Sequence, residues 1–250
     1  MGATELTFCL VILAISACVQ AVFGLGFAMI ATPALALLLD HRSAVMLAAA
    51  PMLALTATWL WRQRTSLREQ SLPWPVLPGI MLGAIVGARA QLALSERTAL
   101  YLLSALLLIC VVLPALLQRS QRDFSVAARR RAPLFGLLAG LTEAALNVGA
   151  PFLVLFAGLA RLTRKQQLFA LYLCFGMGKT IQISVILAHG GLPFPLNVSI
   201  MVSAIIGCLL IHELADRWAG RWPEASFRRA FNLFLLLMSA MLVIRATCLP

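Results

Sequence analysis

The chain has 250 residues, 62% of them hydrophobic and only 12% charged, with a formal net charge of +11. A water-soluble domain is about one-quarter charged and about half apolar, so no soluble core could hide this much apolar surface, and lipid must solvate much of the chain. The positive balance does not mark a nucleic-acid binder, because the basic residues sit in short connections between apolar runs, where they read as topology signals, and no basic domain is left over.

The N-terminal Met-Gly-Ala-Thr-Glu-Leu lacks a basic region, and the run behind it is too long for a signal peptide. It is expected to be retained as the first membrane element. Leu6 to Leu39 carries no charge over 34 residues, whereas one crossing needs about 20. The run is interrupted at Phe23-Gly24-Leu25-Gly26, with Pro33 beyond. Three ordinary spans follow, at about Ser43–Trp61, Pro75–Ala93 and Thr98–Gln118. A basic connection, 119–132, then leads to a second long run, Pro133 to Ala160, interrupted at Asn147-Val148-Gly149-Ala150-Pro151. Glycine and proline free backbone groups from helical bonding, and within a membrane such a break is tolerated only where protein or a water-filled cavity satisfies those groups. Three more spans are expected at about Gln166–Ala188, Pro195–Ile211 and Phe227–Val243.

The order of these eight hydrophobic elements repeats. Setting Gly26 on Gly149 places Gly24-Leu25-Gly26 on Asn147-Val148-Gly149, Asp40 on Thr163 and Arg42 on Lys165. After one residue of slippage, Gly79 and Gly83 fall on Ser203 and Gly207. The predicted fold is therefore an all-α integral membrane protein of two repeats, residues 1–118 and 133–250. Each repeat has one broken or re-entrant hairpin and three transmembrane helices.

Charge decides between two topologies. If all eight segments cross, lysine and arginine split almost evenly. If both broken segments return to the side they entered from, fifteen basic residues from Arg62 to Arg229, including Arg68, Arg119, Arg122 and Arg221, share one side. Only Arg42, Arg97 and Arg245 lie on the other, Arg89 and Lys179 being within spans and counted on neither. Positive residues accumulate in the cytoplasm, so the second topology is expected, with both termini periplasmic, 119–132 cytoplasmic and the two halves inverted. Inverted repeats with paired discontinuous helices are a recurring transporter architecture. The alternative is that the long runs are single tilted helices.

Two charges fall within apolar segments. Glu143 lies six residues before Gly149, and Gln20 lies six before Gly26. A carboxylate at membrane depth is costly and faces a cavity or a partner. It reads either as a coupling group or as a structural bond holding the break. Lys179, in Gly176-Met177-Gly178-Lys179-Thr180, is too deep in its span to snorkel easily; it either attracts an anionic substrate or pairs with Glu143. Half-helix N-termini suit anions. The candidate substrate-binding residues are therefore Gln20, Gly24, Gly26, Glu143, Asn147, Gly149, Pro151 and Lys179.

Gly79, Gly83 and Gly87 are spaced for close helix packing. They permit a homodimer and are equally explained by packing inside one chain. Arg89, His212 and Glu213 read as interfacial anchors, and Trp59, Trp61 and Trp74 as an aromatic belt. The six dispersed cysteines, Cys9, Cys18, Cys110, Cys174, Cys208 and Cys248, indicate neither a disulfide framework nor a zinc site. The chain has no hydrolase, metalloprotease or P-loop motif. An enzyme is not expected, nor a cofactor, and gradient-driven transport fits better than nucleotide-driven transport.

At these residues the chain resembles the TauE/SafE family of sulfite-exporter-like permeases. The resemblance rests on Val19-Gln20-Ala21-Val22-Phe23-Gly24-Leu25-Gly26-Phe27-Ala28, on Ala31-Thr32-Pro33, on the charged turn Asp40-His41-Arg42-Ser43-Ala44, and on Gly79/Gly83/Gly87-Ala88-Arg89. In the second half, Asn147-Val148-Gly149-Ala150-Pro151 is similar to the family's Gly-Pro or Ala-Pro turn. It implies a carrier in the bacterial inner membrane for sulfite, sulfoacetate or another small sulfur-containing or organic anion, with or without proton coupling. Glu143 and Lys179 match no family motif. The competing reading is a non-transporting membrane scaffold or assembly subunit.

Overall fold

A computed structural model describes residues 2–65, 74–117, 125–190, 196–217 and 224–249. Arg68, Arg119, Arg122 and Arg221, and the expected span ends at Gln118 and Pro195, lie outside the described residues. The described elements are helical: α1 (Ala3–Phe23), α2 (Phe27–Leu35), α3 (His41–Arg62), α4 (Val76–Ala93), α5 (Glu96–Leu117), α6 (Ser125–Arg130), α7 (Ala132–Leu146), α8 (Ala150–Leu159), α9 (Arg164–Gly190), α10 (Val198–Asp216) and α11 (Glu224–Cys248). Each expected span is one helix, and the basic connection contains the short α6.

Six helices among the described residues, α1, α3, α4, α9, α10 and α11, are long and apolar enough to cross a membrane by length and composition. At 1.5 Å per residue, 20 residues cover about 30 Å, the thickness of the hydrocarbon core. The apolar surface is turned outward where a soluble protein would bury it. Along α10, Val198, Val202, Ile206, Leu210 and Leu214 are all exposed at four-residue spacing. In water such a stripe would be an aggregation site; in lipid it is the solvated face. The chain is an integral membrane protein.

Both long runs are broken where glycine and proline mark them, so neither is a single tilted helix. α1 ends at Gly24, whose φ of 76° is left-handed, and α2 starts from Gly26 at φ 115°. α7 ends at Asn147, also left-handed at φ 60°, and α8 starts from Gly149. Gly26 adopts an angle that only glycine reaches without strain, while asparagine tolerates the left-handed turn. The return arms are short. α2 has 9 residues and α8 has 10, about half a membrane crossing each. Pro151 lies in the first turn of α8, where a missing N–H costs no helical bond. Beyond each hairpin the next helix is capped by the residue the repeat alignment pairs: Asp40 accepts the Ser43 N–H at the start of α3 (3.0 Å), and Thr163 accepts that of Gln166 at the start of α9 (3.3 Å).

The helices form two compact units, and each takes elements from both sequence halves. The first comprises residues 1–55, 94–111 and 190–250; the second comprises 56–93 and 112–189. In the first unit, α1 packs on α10 and α2, and α2 also touches α11. A buried serine pair joins α5 to α11: the Ser104 and Ser239 hydroxyls lie 2.7 Å apart, and each donates to the other's carbonyl.

The second unit is built on the contact between α4 and α7. A Cβ on Gly79, Gly83 or Gly87 would fall 2.0–2.2 Å from the carbonyl oxygens of Pro133, Leu137 and Leu141. In return, one on Gly136 or Gly140 would fall 2.1–2.2 Å from those of Val76 and Ile80. Five glycines from two helices thus set backbone against backbone, the spacing that small residues permit between membrane helices. The glycine spacing of α4 is used inside the chain. Its repeat partner, Gly207, would place its Cβ in open space. Trp59 is half-buried and stacks on Tyr172 with ring centroids 4.1 Å apart, so it is a packing residue of this unit rather than a member of an exposed belt. Trp61 and Trp74 are exposed.

Candidate functional site

The second unit buries a polar cluster at the α7–α8 break. Glu143 lies in the last turn of α7 and Lys179 in the middle of α9, and both side chains have zero solvent exposure. Lys179 Nζ lies 2.7 Å from Glu143 Oε1. It also donates to the Glu143 carbonyl (3.1 Å), Asn147 Oδ1 (2.5 Å) and Gln182 Oε1 (3.1 Å). The other carboxylate oxygen, Glu143 Oε2, accepts the N–H of Gly149 at 2.9 Å. Gln182 extends the network, donating to the Ala144 carbonyl (2.6 Å) and to Gln91 Oε1 on α4 (2.9 Å). Gln91, Asn147 and Gln182 are all buried.

Each part of this arrangement has a local cause. The left-handed turn at Asn147 closes α7 with bonds from the Asn147 N–H to the Glu143 carbonyl and from the Val148 N–H to the Thr142 carbonyl, which satisfies orphan carbonyls at the helix end. The same turn brings Asn147 Oδ1 back over the α7 terminus. Gly149 is required by contact: a Cβ there would lie 2.5 Å from the Ala139 carbonyl oxygen and 2.7 Å from Glu143 Cβ. Gly178 lets the Glu143 side chain lie against α9, since a Cβ there would meet Glu143 Cγ at 3.0 Å. The cluster is electrically neutral. Its carboxylate stands at the N-terminus of α8 and its ammonium at the C-terminus of α7, so each charge also meets the favourable end of a helix dipole. Desolvating two ions is expensive, and a buried pair persists only where further hydrogen bonds satisfy it; here the Gly149 N–H, the Glu143 carbonyl and the Asn147 and Gln182 side chains supply them, with Gln91 one bond further out on Gln182.

The break in the first unit carries no charge. Gln20 Oε1 accepts the Phe27 N–H at the start of α2 (3.1 Å), and Gln20 Nε2 donates to the Gly24 carbonyl (3.3 Å). Gln20 and Glu143 therefore do the same local work, each reaching across its break to hold the first N–H groups of the half-helix. Around Gly26 the surroundings are apolar and aromatic. Phe231 lies within 3.7 Å of a Cβ placed there, and Phe227 stacks on Phe23. Gln20, Gly24 and Gly26 thus form one constellation in the first unit, and Glu143, Asn147, Gly149 and Lys179 form another in the second, with Pro151 in the first turn of α8.

Two arginines counted only as topology charges also hold the half-helices. Arg245 donates to the Ala36 carbonyl at the C-terminus of α2 and pairs with Glu96 at 3.1 Å. Arg129 donates to the Ala160 carbonyl at the C-terminus of α8 (3.2 Å). A cation at a helix C-terminus is favourable. Sequence reasoning missed these caps and also Gln91 and Gln182. For Gln182 a signal was present, since it lies three residues after Lys179 on the same face of a helix. Arg89, the one charged residue of α4, is exposed. Among the described residues no group of three or more histidine, cysteine or acidic side chains could hold a metal ion.

A family model described as "Sulfite exporter TauE/SafE" matches residues 8–242. Comparison with the curated proteins and comparison with the solved structures each yielded no match.

Proposed function

Because this chain belongs to the TauE/SafE family of sulfite-exporter-type membrane transporters, we propose that it is a secondary transporter moving a small anion, such as sulfite, an organosulfonate or a carboxylate, across the bacterial inner membrane. The observation that carries this reading is the buried Glu143–Lys179 cluster at a helix break. Ionisable groups at membrane depth mark substrate or ion pathways, and broken half-helices are where carriers of this kind build their sites. A scaffold needs no buried ion pair and no interrupted helix to hold it.

The proposed site lies at the α7–α8 break, with Glu143, Asn147 and Lys179 as its charged and polar wall. Gly149 and Pro151 shape the N-terminus of α8, where the Glu143 carboxylate accepts the Gly149 N–H. Gln20, Gly24 and Gly26 are the uncharged counterpart in the first unit. A repeat of the two halves is supported by paired details: the three-residue breaks, the Gln20 and Glu143 contacts, the Asp40 and Thr163 caps, and the Arg245 and Arg129 contacts at the half-helix C-termini; its inversion, with both termini periplasmic, rests on the distribution of basic residues. Packing follows the same exchange. α1 lies on α10 in one unit, and α7 lies on α4 in the other.

Flux of sulfite, sulfoacetate and simple carboxylates through purified protein in liposomes, with a proton gradient on or off, tests this function. Saturable flux of one of these anions is the expected result. No flux for any of them, from folded protein, would count against the carrier.

A further inference from the structure

The atoms around Lys179 form the ligand set of a cation site. Four oxygens lie within 3.1 Å of Nζ: a carboxylate oxygen of Glu143, the Glu143 backbone carbonyl, Asn147 Oδ1 and Gln182 Oε1. Carboxylate, backbone carbonyl and side-chain amide oxygens are what hard cations choose. Their position, at the C-terminal end of a half-helix beside an unwound turn, is where secondary carriers coordinate a coupling ion. An ammonium has three N–H groups, and in this conformation the Glu143 carbonyl, Asn147 Oδ1 and Gln182 Oε1 take all three, with the Glu143 carboxylate beside them as the counter-charge.

We propose that Lys179 is a built-in monovalent cation occupying a coupling-ion seat, so that the exchangeable species at this seat is the lysine's proton rather than a sodium or potassium ion. The transport consequence rests on the carrier reading above; the cation seat itself does not. In the cycle, one Nζ–H bond breaks, its electron pair stays on nitrogen, and the proton passes to water on the side toward which the site opens. Reprotonation from the other side restores the ammonium. The ionisable groups facing Nζ are Glu143 from α7 and Cys174 from α9 itself. α4 brings the neutral Gln91, and α3 brings the neutral Thr56 against α9 at Gly176. Among the described residues, the Glu143 carboxylate is thus the one partner from another helix whose charge the seat must balance.

If the seat is a cation site, emptying it should let a free cation in. The test follows thermal unfolding of the full-length protein in detergent by tryptophan fluorescence. Wild type, Lys179→Ala and Lys179→Ala/Glu143→Gln are compared in sodium, potassium, ammonium and choline chloride at equal ionic strength. Lys179→Ala is expected to melt several degrees higher in at least one small cation than in choline. Wild type, with its seat filled, and the double variant, with its negative charge removed, are expected to melt alike in all four salts. A Lys179→Ala protein indifferent to the cation overturns the inference, as does a wild type stabilised by sodium over choline. If Lys179→Ala cannot be recovered folded in any salt, wild-type anion flux decides. Flux unchanged by a sodium gradient at fixed proton gradient supports the built-in cation, and sodium-dependent flux overturns it. The melting experiment needs no substrate, so its failure leaves the carrier reading standing, while absence of all flux removes the carrier and leaves the seat.

Discussion

Gly83→Ala is the sharpest test of how the second unit is held together. The added methyl carbon would lie 2.1 Å from the Leu137 carbonyl oxygen and 2.8 Å from the Leu141 nitrogen. Ordinary van der Waals contact begins more than 1 Å further out than the first of these, and both obstacles are backbone, so no rotamer change relieves them. Separating α4 from α7 would loosen the four neighbouring glycine contacts of the same seam. Overpacking typically costs about 1–3 kcal/mol, and weak Cα–H···O contacts add about 0.5–1 kcal/mol each where they are lost. A destabilisation of about 3 kcal/mol or more is therefore expected, a shift of over a hundredfold in the folding equilibrium. Gly207→Ala is the control, because its methyl group meets nothing within 4 Å. It should be neutral or stabilising by up to about 1 kcal/mol through helix propensity. Reversible unfolding in mixed micelles, read by circular dichroism, gives both values. A Gly83→Ala protein within about 0.5 kcal/mol of wild type, the ordinary range for surface substitutions, would refute the backbone-contact account.

Three further outcomes follow from the site. Glu143→Gln leaves the Lys179 charge buried without its counter-ion and should destabilise by about 3–5 kcal/mol; Glu143→Gln/Lys179→Met should recover most of that, as seen in the same unfolding assay. Asn147→Gly keeps the left-handed turn and loses one acceptor of Lys179, whereas Asn147→Ala loses both and should be less stable than Asn147→Gly by about 1–2 kcal/mol. Gln20→Leu leaves the buried Phe27 N–H without the side chain that accepts it, at a cost of about 1–3 kcal/mol, and hydrogen exchange should show α2 opening more readily.

The elements were legible because their signals are local. A membrane helix announces itself by apolar length, and a break by glycine, asparagine and proline chemistry confined to a few residues. Hence Gly24, Gly26 and Asn147 stand at the helix ends that their backbone angles require, and Gly149 stands where a Cβ would collide. What was not legible depends on which helices meet. Gly83 and Gly207 align in the repeat, yet one touches backbone and the other nothing. Trp59 ends a span and still turns inward onto Tyr172. Gln91 and Gln182 look like polar residues near or within spans until α4, α7 and α9 converge on Lys179. Charge pattern was read for orientation, which concealed that Arg129 and Arg245 each cap a half-helix.

The most direct test of the central claim is anion flux through liposomes containing wild type or Glu143→Gln/Lys179→Met, the variant expected to fold without either buried charge. The account predicts saturable flux for the wild type and its loss in the folded double variant. Equal flux through both would place transport elsewhere in the chain and contradict the assignment of the Glu143–Lys179 cluster as its working centre.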